Sequence, residues 1–130
     1  MTCFWDGLLR GLLDENLSQI GLNKQCNINV FIEQLQNFAR PTSNIMHNGI
    51  QLPEQVQMEN LEAIKSFDKK YIRDGYLCST CDPFLCIVCS LCKCNIIHKF
   101  CGNRIEYTNT QMSINTLEFE SNNTHFWFNP

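Results

Sequence analysis

The segment Cys78–Cys101 reads CSTCDPFLCIVCSLCKCNIIHKFC and holds seven of the nine cysteines of the chain. The residues between these cysteines are mainly apolar, and free cysteine is itself among the residue types most often buried in protein cores. Asp82 and Pro83 provide an N-cap followed by a proline, which is favoured in the first turn of a helix. The segment therefore predicts a buried helix from Pro83 to Asn95 that leads into a strand from Ile96 to Phe100.

The same cysteines also have spacings that suit zinc, because a C-x-x-C pair lets both sulfur atoms reach one ion. A first ion would be bound by the thiolates of Cys78, Cys81, Cys86 and Cys89. A second ion would take its ligands from Cys92, Cys94, His98 and Cys101. Zinc ligands usually stand on polar, glycine-rich turns, and this segment has no glycine before Gly102. The pattern therefore favours the helix and leaves zinc as the alternative cofactor.

Length and composition indicate one domain that spans residues 1–130. A chain of 130 residues, of which 44% are hydrophobic, is long enough for one core and short for two. The net charge of -3 and the lack of a basic run indicate that nucleic acid is not a partner. No apolar stretch approaches the roughly 20 residues that span a bilayer, so no membrane association is expected.

Cysteine usage predicts the compartment. Nine cysteines are an odd number, and the apolar start of the chain lacks the positive region and cleavage site of a signal peptide. Thiols stay reduced in the cytoplasm and in other reducing intracellular compartments. We therefore expect an intracellular protein whose cysteines are free, metal-bound or catalytic.

The N-terminal half of the chain predicts three helices. The stretch TCFWDGLLRGLL, residues 2–13, has apolar residues at the i, i+4 spacing of an amphipathic helix. A second helix is expected from about Asn29 to Arg40, where Pro41 ends it. A third begins at Pro53 and buries a stripe of apolar residues. Residues Pro41 to Gly49 have the composition of a loop.

The C-terminal third predicts strands. NIIHKF, RIEYT, SINTLEFE and THFWF are short, rich in β-branched and aromatic residues, and separated by turn residues. This order of elements predicts the α+β class, with N-terminal helices packed on a C-terminal, mainly antiparallel sheet.

Two residues at opposite ends of the chain have the chemistry of a thiol catalyst. Cys3 lies at the predicted start of the first helix, where unpaired N–H groups and the helix dipole favour a thiolate. His125 begins the last strand, and an imidazole acts as a base at neutral pH. The alternative is that Cys3 is a buried helix residue and that His125 has a structural role.

The stretches around both residues resemble a known family. TCFWDGLLRGLL resembles the cysteine box of papain-like deubiquitinases, and THFWF is similar to their histidine box. The order of the elements between them resembles the ovarian-tumour-domain class. The resemblance implies a papain-like fold and a cysteine peptidase that removes ubiquitin or a ubiquitin-like protein by thiol attack.

The resemblance also implies the catalytic roles. Cys3 would be the nucleophile, His125 the general base and Asn129 the residue that orients the base. The N–H groups at the start of the first helix would stabilise the oxyanion. The alternatives are a zinc-stabilised interaction module and a catalytically inactive papain-like protein with a structural or binding role.

Overall fold

Helices come first along the chain, and strands dominate its C-terminal part. The structure is a computed structural model that describes residues 3–71 and 78–130, without the side chains of residues 3, 71 and 78–81. The helices are α1 (Cys3–Gly11), α2 (Asp14–Ser18), α3 (Ile28–Phe38), α4 (Glu54–Ser66) and α5 (Cys78–Cys92), with a short 3-10 turn at Lys69–Tyr71. The strands are β1 (Ile45–His47), β2 (Ile50–Gln51), β3 (Cys94–Phe100), β4 (Asn103–Asn109), β5 (Asn115–Ser121) and β6 (Phe126–Asn129).

The six strands of the described residues form one sheet in the order β2-β1-β4-β3-β5-β6. Neighbouring strands are antiparallel, except that β3 and β5 are parallel. Residues 110–114 carry the chain from β4 past the start of β3, where the amide of Ile114 donates to the carbonyl of Lys93 at 2.7 Å. The predicted α+β class is therefore confirmed, and the parallel pair makes the sheet mixed.

The helices cover one face of the sheet. Along β3 the side chains of Cys94, Ile96 and His98 are buried, and those between them are half-buried. Leu117 and Phe119 continue this alternation on β5. A period of two places the buried side chains on the same side of a sheet, so the core lies between this face and the helices.

Helix α5 lies inside that core. Its side chains from Phe84 to Cys89 are almost fully buried, and it contacts α3 and α4 as well as β3 and β4. Two buried asparagines bind carbonyl groups near its C-terminal end: Asn109 donates to Cys89 and Asn16 to Cys92, both at 2.9 Å. These bonds satisfy carbonyls that the last turn of a helix leaves unpaired. Within the described ranges, no helix is long and apolar enough to cross a membrane.

The predicted start of α5 is wrong. The helix begins at Cys78, and Pro83 lies inside it rather than in its first turn. Asp82 is not the cap, because it is itself helical and its carboxylate accepts a hydrogen bond from the buried hydroxyl of Tyr107 on β4. The side chain of Asp82, which the local pattern predicted to cap the helix, therefore binds a distant strand instead.

The end of α5 also comes earlier than predicted. The helix stops at Cys92, and Lys93 has a φ of 57°, the left-handed conformation that commonly follows a helix. The next strand therefore begins at Cys94 rather than Ile96, and Asn95 belongs to the strand rather than the helix.

The stretch predicted as a loop from Pro41 to Gly49 instead contains a strand and a hairpin turn. Strands β1 and β2 pair across the turn Asn48–Gly49, whose φ values of 51° and 78° are those of a type I′ turn. Strand β1 joins the sheet through antiparallel pairing with β4. The loop prediction is therefore wrong for Ile45–His47.

Smaller differences concern the other helices. Helix α3 begins at Ile28, because Asn27 rather than Asn29 is its N-cap and accepts a hydrogen bond from the amide of Val30 at 2.9 Å. Pro53 precedes α4 as its cap. The five residues of α2 were not predicted, since so short a helix shows no apolar period.

Helix α1 packs on β6 through two glycines. A Cβ atom added at Gly7 would lie 2.9 Å from Cδ1 of Phe126, and one added at Gly11 would lie 2.8 Å from Cδ1 of Phe128. Four helical residues advance about 6 Å and two strand residues about 6.6 Å, so the two spacings match. Helix α1 therefore runs alongside β6 in the same direction, and glycine permits the close approach.

We expect Gly7→Ala to lower the free energy of unfolding by about 1–3 kcal/mol, the usual cost of overpacking a core. The added methyl group meets the buried ring of Phe126, which outweighs the gain of about 1 kcal/mol in helix propensity. Urea unfolding followed by circular dichroism measures the change. Lys65→Ala on the exposed side of α4 is the control and should shift stability by less than about 0.5 kcal/mol. An unchanged stability for Gly7→Ala would contradict the close packing.

Candidate functional site

The two predicted catalytic residues stand at the starts of α1 and β6. Cys3 is the first residue of α1, and His125 immediately precedes β6. The residues that follow them, Phe4 and Phe126, are buried, and their ring centroids lie 4.8 Å apart. Each candidate is therefore one residue away from the same aromatic contact. The side chain of Cys3 lies outside the described residues.

An aromatic cluster holds the first turn of α1. The ring of Trp5 lies 4.8 Å from Phe84 of α5, 5.7 Å from Phe67 and 6.2 Å from Phe31, measured between centroids. The contacts with Phe84 and Phe31 are edge-on, and aromatic pairs of this kind contribute about 0.5–1.5 kcal/mol each beyond the area that they bury. The start of α1 is thus fixed, and the first turn of a helix presents unpaired N–H groups with partial positive charge.

The other end of α1 is capped by a lysine from the loop between α2 and α3. Nζ of Lys24 donates to the carbonyls of Leu12 at 2.6 Å and Arg10 at 3.0 Å, and also to that of Leu9. A cation is favourable here, because the C-terminal end of a helix carries partial negative charge. Burial lowers the pKa of Lys24, and the carboxylate of Asp14 opposes this effect.

His125 is presented by a tight loop between β5 and β6. The side-chain oxygen of Asn122 accepts hydrogen bonds from the amides of Thr124 (2.9 Å) and His125 (2.8 Å). The amide of Asn122 donates to the carbonyl of His125 at 3.0 Å. The backbone of His125 is therefore fixed, while its side chain is exposed.

Asn129 does not lie beside His125. It ends β6, four residues and about 13 Å of extended chain after the histidine. Its side chain donates to Oε2 of Glu118 at 3.2 Å. Phe128 packs against α1, so alternation along the strand places Asn129 on the opposite face of the sheet. The structure thus brings the Cys3 and His125 positions to one end of β6 and leaves Asn129 at the other.

A second histidine lies behind the same aromatic contact. His98 of β3 is buried, and its ring centroid is 5.4 Å from that of Phe126. Its Nε2 is 2.6 Å from the hydroxyl of Ser121 on β5, and its Nδ1 is buried with no hydrogen-bond partner in the described part of the chain. The sequence assigned a structural role to His98, and this burial is consistent with that role.

The cysteine run forms a buried helix and the strand that follows it. Cys86, Cys89, Cys92 and Cys94 are buried in the hydrophobic core, and Cys101 is exposed in the β3–β4 turn. Burial raises the pKa of the Cys86 thiol to about 12 and also raises the pKa of Cys89 and Cys92. The helix interpretation is confirmed for this part of the run.

Zinc binding by the cysteine run stays a prediction. Nowhere in residues 3–71 and 78–130, as far as their side chains are described, do three or more His, Cys, Asp or Glu residues form a group that could hold a metal ion. The side chains of Cys78 and Cys81 lie outside the described residues, so their part in a site stays a prediction.

No protein family, curated protein or solved structure matches this chain. The resemblance of its two ends to papain-like deubiquitinases therefore stays a prediction. Sequence reasoning missed Ser121 and Asn122. The Ser-Asn-Asn sequence predicted only a break between strands. The contact of Ser121 with His98 depends on the pairing of β5 with β3. The side chain of Asn122 instead bonds the amides two and three residues ahead, a local turn contact that asparagine commonly makes.

We expect the exposed and the buried cysteines of the described residues to differ strongly in their rates of alkylation. At about pH 8, iodoacetamide should modify Cys101 in the native protein long before Cys86, Cys89, Cys92 or Cys94, because exposure and thiolate fraction control the rate. Peptide mass spectrometry over time measures each site. In denaturant all five should react at similar rates, which is the control. Rapid native modification of Cys89 would contradict the buried helix.

We expect His98 to make stability depend on pH. Burial lowers the pKa of His98, an effect that Asp82 opposes, whereas an unfolded histidine has a pKa of about 6.5. The unfolded state therefore takes up the proton first, so the contribution of His98 is complete above about pH 6.5 and is lost as the pH falls through the folded-state pKa. Urea midpoints measured between about pH 8 and 5 should fall more steeply for the wild type than for His98→Gln. Parallel curves would show that His98 does not have this role.

Proposed function

We propose that this chain is a papain-like cysteine peptidase, similar to ovarian-tumour-domain deubiquitinases, with Cys3 as the nucleophile and His125 as the general base. The observation that supports it best is the packing of the start of α1 on the start of β6. The Phe4–Phe126 contact, at 4.8 Å between centroids, brings the residues before each ring to one end of the sheet. The resemblance implies this arrangement, with a helix that begins at the nucleophile beside a strand that begins at the base.

The chemistry follows from these groups. His125 takes the proton of the Cys3 thiol, and the thiolate attacks an amide or isopeptide carbonyl. The N–H groups of the first turn of α1 stabilise the oxyanion, because they have no intrahelical partners. The imidazolium then protonates the leaving amine, and water hydrolyses the thioester.

His125 is a better candidate for the base than His98. The exposed side chain of His125 is accessible to a substrate, whereas His98 is buried and bonded to Ser121. Burial also lowers the pKa of His98, which makes it a weaker base. In this proposal His98 supports the Phe126 ring, and Asn122 fixes the backbone of His125.

The third residue of the predicted triad has a different role in this proposal. Asn129 binds Glu118 on the other face of the sheet, so it does not orient His125. The hydrogen bonds of the Asn122 side chain to the amides of Thr124 and His125 restrict the loop instead. Ubiquitin and ubiquitin-like proteins are the substrates that the resemblance suggests. The alternative is a catalytically inactive protein of the same fold, and a turnover assay distinguishes it from an active peptidase.

The pH dependence of alkylation at Cys3 tests the Cys-His pair. We expect Cys3 to react well below the ordinary thiol pKa of about 8.5, and His125→Ala to slow the reaction at neutral pH. Peptide mass spectrometry of the native reduced protein measures the rate. His47→Ala is the matched control, since His47 lies on β1, four strands away from β6, and contacts Tyr107 edge-on. The Cys-His pair would be refuted if Cys3 reacted slowly and at a rate that His125→Ala did not change.

Turnover tests the peptidase activity itself. Ubiquitin with a fluorogenic amide at its C-terminus is the first substrate to use, with Cys3→Ala as the inactive variant. Loss of the general base should reduce kcat by about 10²–10⁴-fold in His125→Ala, whereas Asn129→Ala should retain activity. Activity that survives Cys3→Ala would exclude the proposed nucleophile.

A further inference from the structure

Strand β6 forms an edge of the sheet and carries no charged side chain. In the described part of the chain no strand pairs with its outer side. Edge strands are normally kept short or carry charged residues or proline, because their free N–H and C=O groups recruit other strands. The opposite edge follows this rule, since β2 has only two residues. Strand β6 reads FWFN and holds three aromatic residues and no charge.

A groove runs beside this edge. Its volume is about 210 Å³, and it is lined by Asp6, Gly7, Arg10, Phe126, Trp127 and Phe128. Small-molecule sites usually enclose about 300–1,000 Å³, so this groove suits the side chains of a peptide better than a cofactor. Its two walls are α1 and β6, which run in the same direction.

Arg10 gives this groove a positive charge that is available to a ligand. Its side chain is exposed at the groove, and its guanidinium forms no ion pair among the described residues. The carboxylate of Asp6 stands one turn closer to the start of α1. An anionic group is therefore favoured at the Arg10 end of the groove and disfavoured at the Asp6 end.

We propose that an extended peptide binds along the free edge of β6 as an added strand and places a carboxylate side chain against Arg10. The backbone pairs with β6, and alternate side chains of the peptide enter the groove. As a statement about the substrate, this inference rests on the proposed peptidase function. As a statement about binding, it does not depend on catalysis.

The spacing predicts where the acidic residue lies in a substrate. Arg10 is seven residues after Cys3 in α1, which is an advance of about 10.5 Å. Three residues of extended chain cover about 10 Å. A peptide whose scissile bond lies at Cys3 therefore carries its acidic side chain about three residues from that bond.

Binding is tested on the Cys3→Ala protein, so that no turnover interferes. The probes are the capped hexapeptide Thr-Val-Glu-Val-Thr-Val and its version with Gln in place of Glu. We expect the Glu peptide to bind about two- to five-fold more tightly, the range for an exposed ion pair, and amide hydrogen exchange in β6 to slow on binding. Arg10→Gln should remove the preference. Arg104→Gln is the matched control on β4, and it should retain the preference.

Backbone pairing is tested with two N-methylated versions of the Glu peptide. A strand added at an edge uses the N–H groups of alternate residues. Methylation of one alternate set should abolish binding, and methylation of the other set should leave it intact. Equal binding of both versions, no binding at millimolar concentration, or a Glu preference that survives Arg10→Gln would each overturn the proposal.

Two further outcomes are distinguishable. Sedimentation of the protein alone reports whether β6 pairs with a second copy, and a dimer that Trp127→Lys dissociates would overturn the proposal in favour of self-association. Peptide binding by Cys3→Ala without turnover by the wild type would refute the peptidase and leave the binding site. Turnover by the wild type without peptide binding at β6 would refute the binding site and leave the peptidase.

Discussion

From Phe84 to Cys92, helix α5 is buried around its whole circumference. Helices α3 and α4 cover one side, and strands β3 and β4 cover the other. Its C-terminal carbonyls end inside the protein, where the amides of Asn109 and Asn16 bind them. An unsatisfied buried carbonyl costs about 1–3 kcal/mol, so each of these two hydrogen bonds matters about as much as the burial of one apolar side chain.

The candidate site depends on this core because the start of α1 rests on α5. Phe84 contacts Trp5 at 4.8 Å and Phe4 at 6.5 Å, and Phe4 contacts Phe126 at 4.8 Å on its other side. The first turn of α1 is therefore held between the central helix and the edge strand. Phe126 of this edge strand follows His125 in the sequence and packs against His98. The proposed chemistry and the proposed peptide site therefore both depend on β6.

Local pattern predicted the kinds of element well and their bounds less well. The apolar period of TCFWDGLLRGLL marks α1, and the alternation of NIIHKF and RIEYT marks two strands. The start of α5 was placed too late, because Asp82 resembles a cap in the sequence but binds Tyr107 in the structure. Two positions of the candidate site, Cys3 and His125, stand where the sequence put them, at the start of a helix and beside a strand.

The sequence by itself determined the α+β class and the burial of the cysteine helix, since both follow from the period and polarity of neighbouring residues. Only the tertiary structure decided that β5 lies parallel to β3, that His98 meets Ser121, and that Asn129 turns toward Glu118. These outcomes depend on strand pairing. A partner strand is chosen by the packing of the whole core, and a residue's face depends on its register in the pair. Neither the partner strand nor the register is encoded in the residues next to Asn129 or His98.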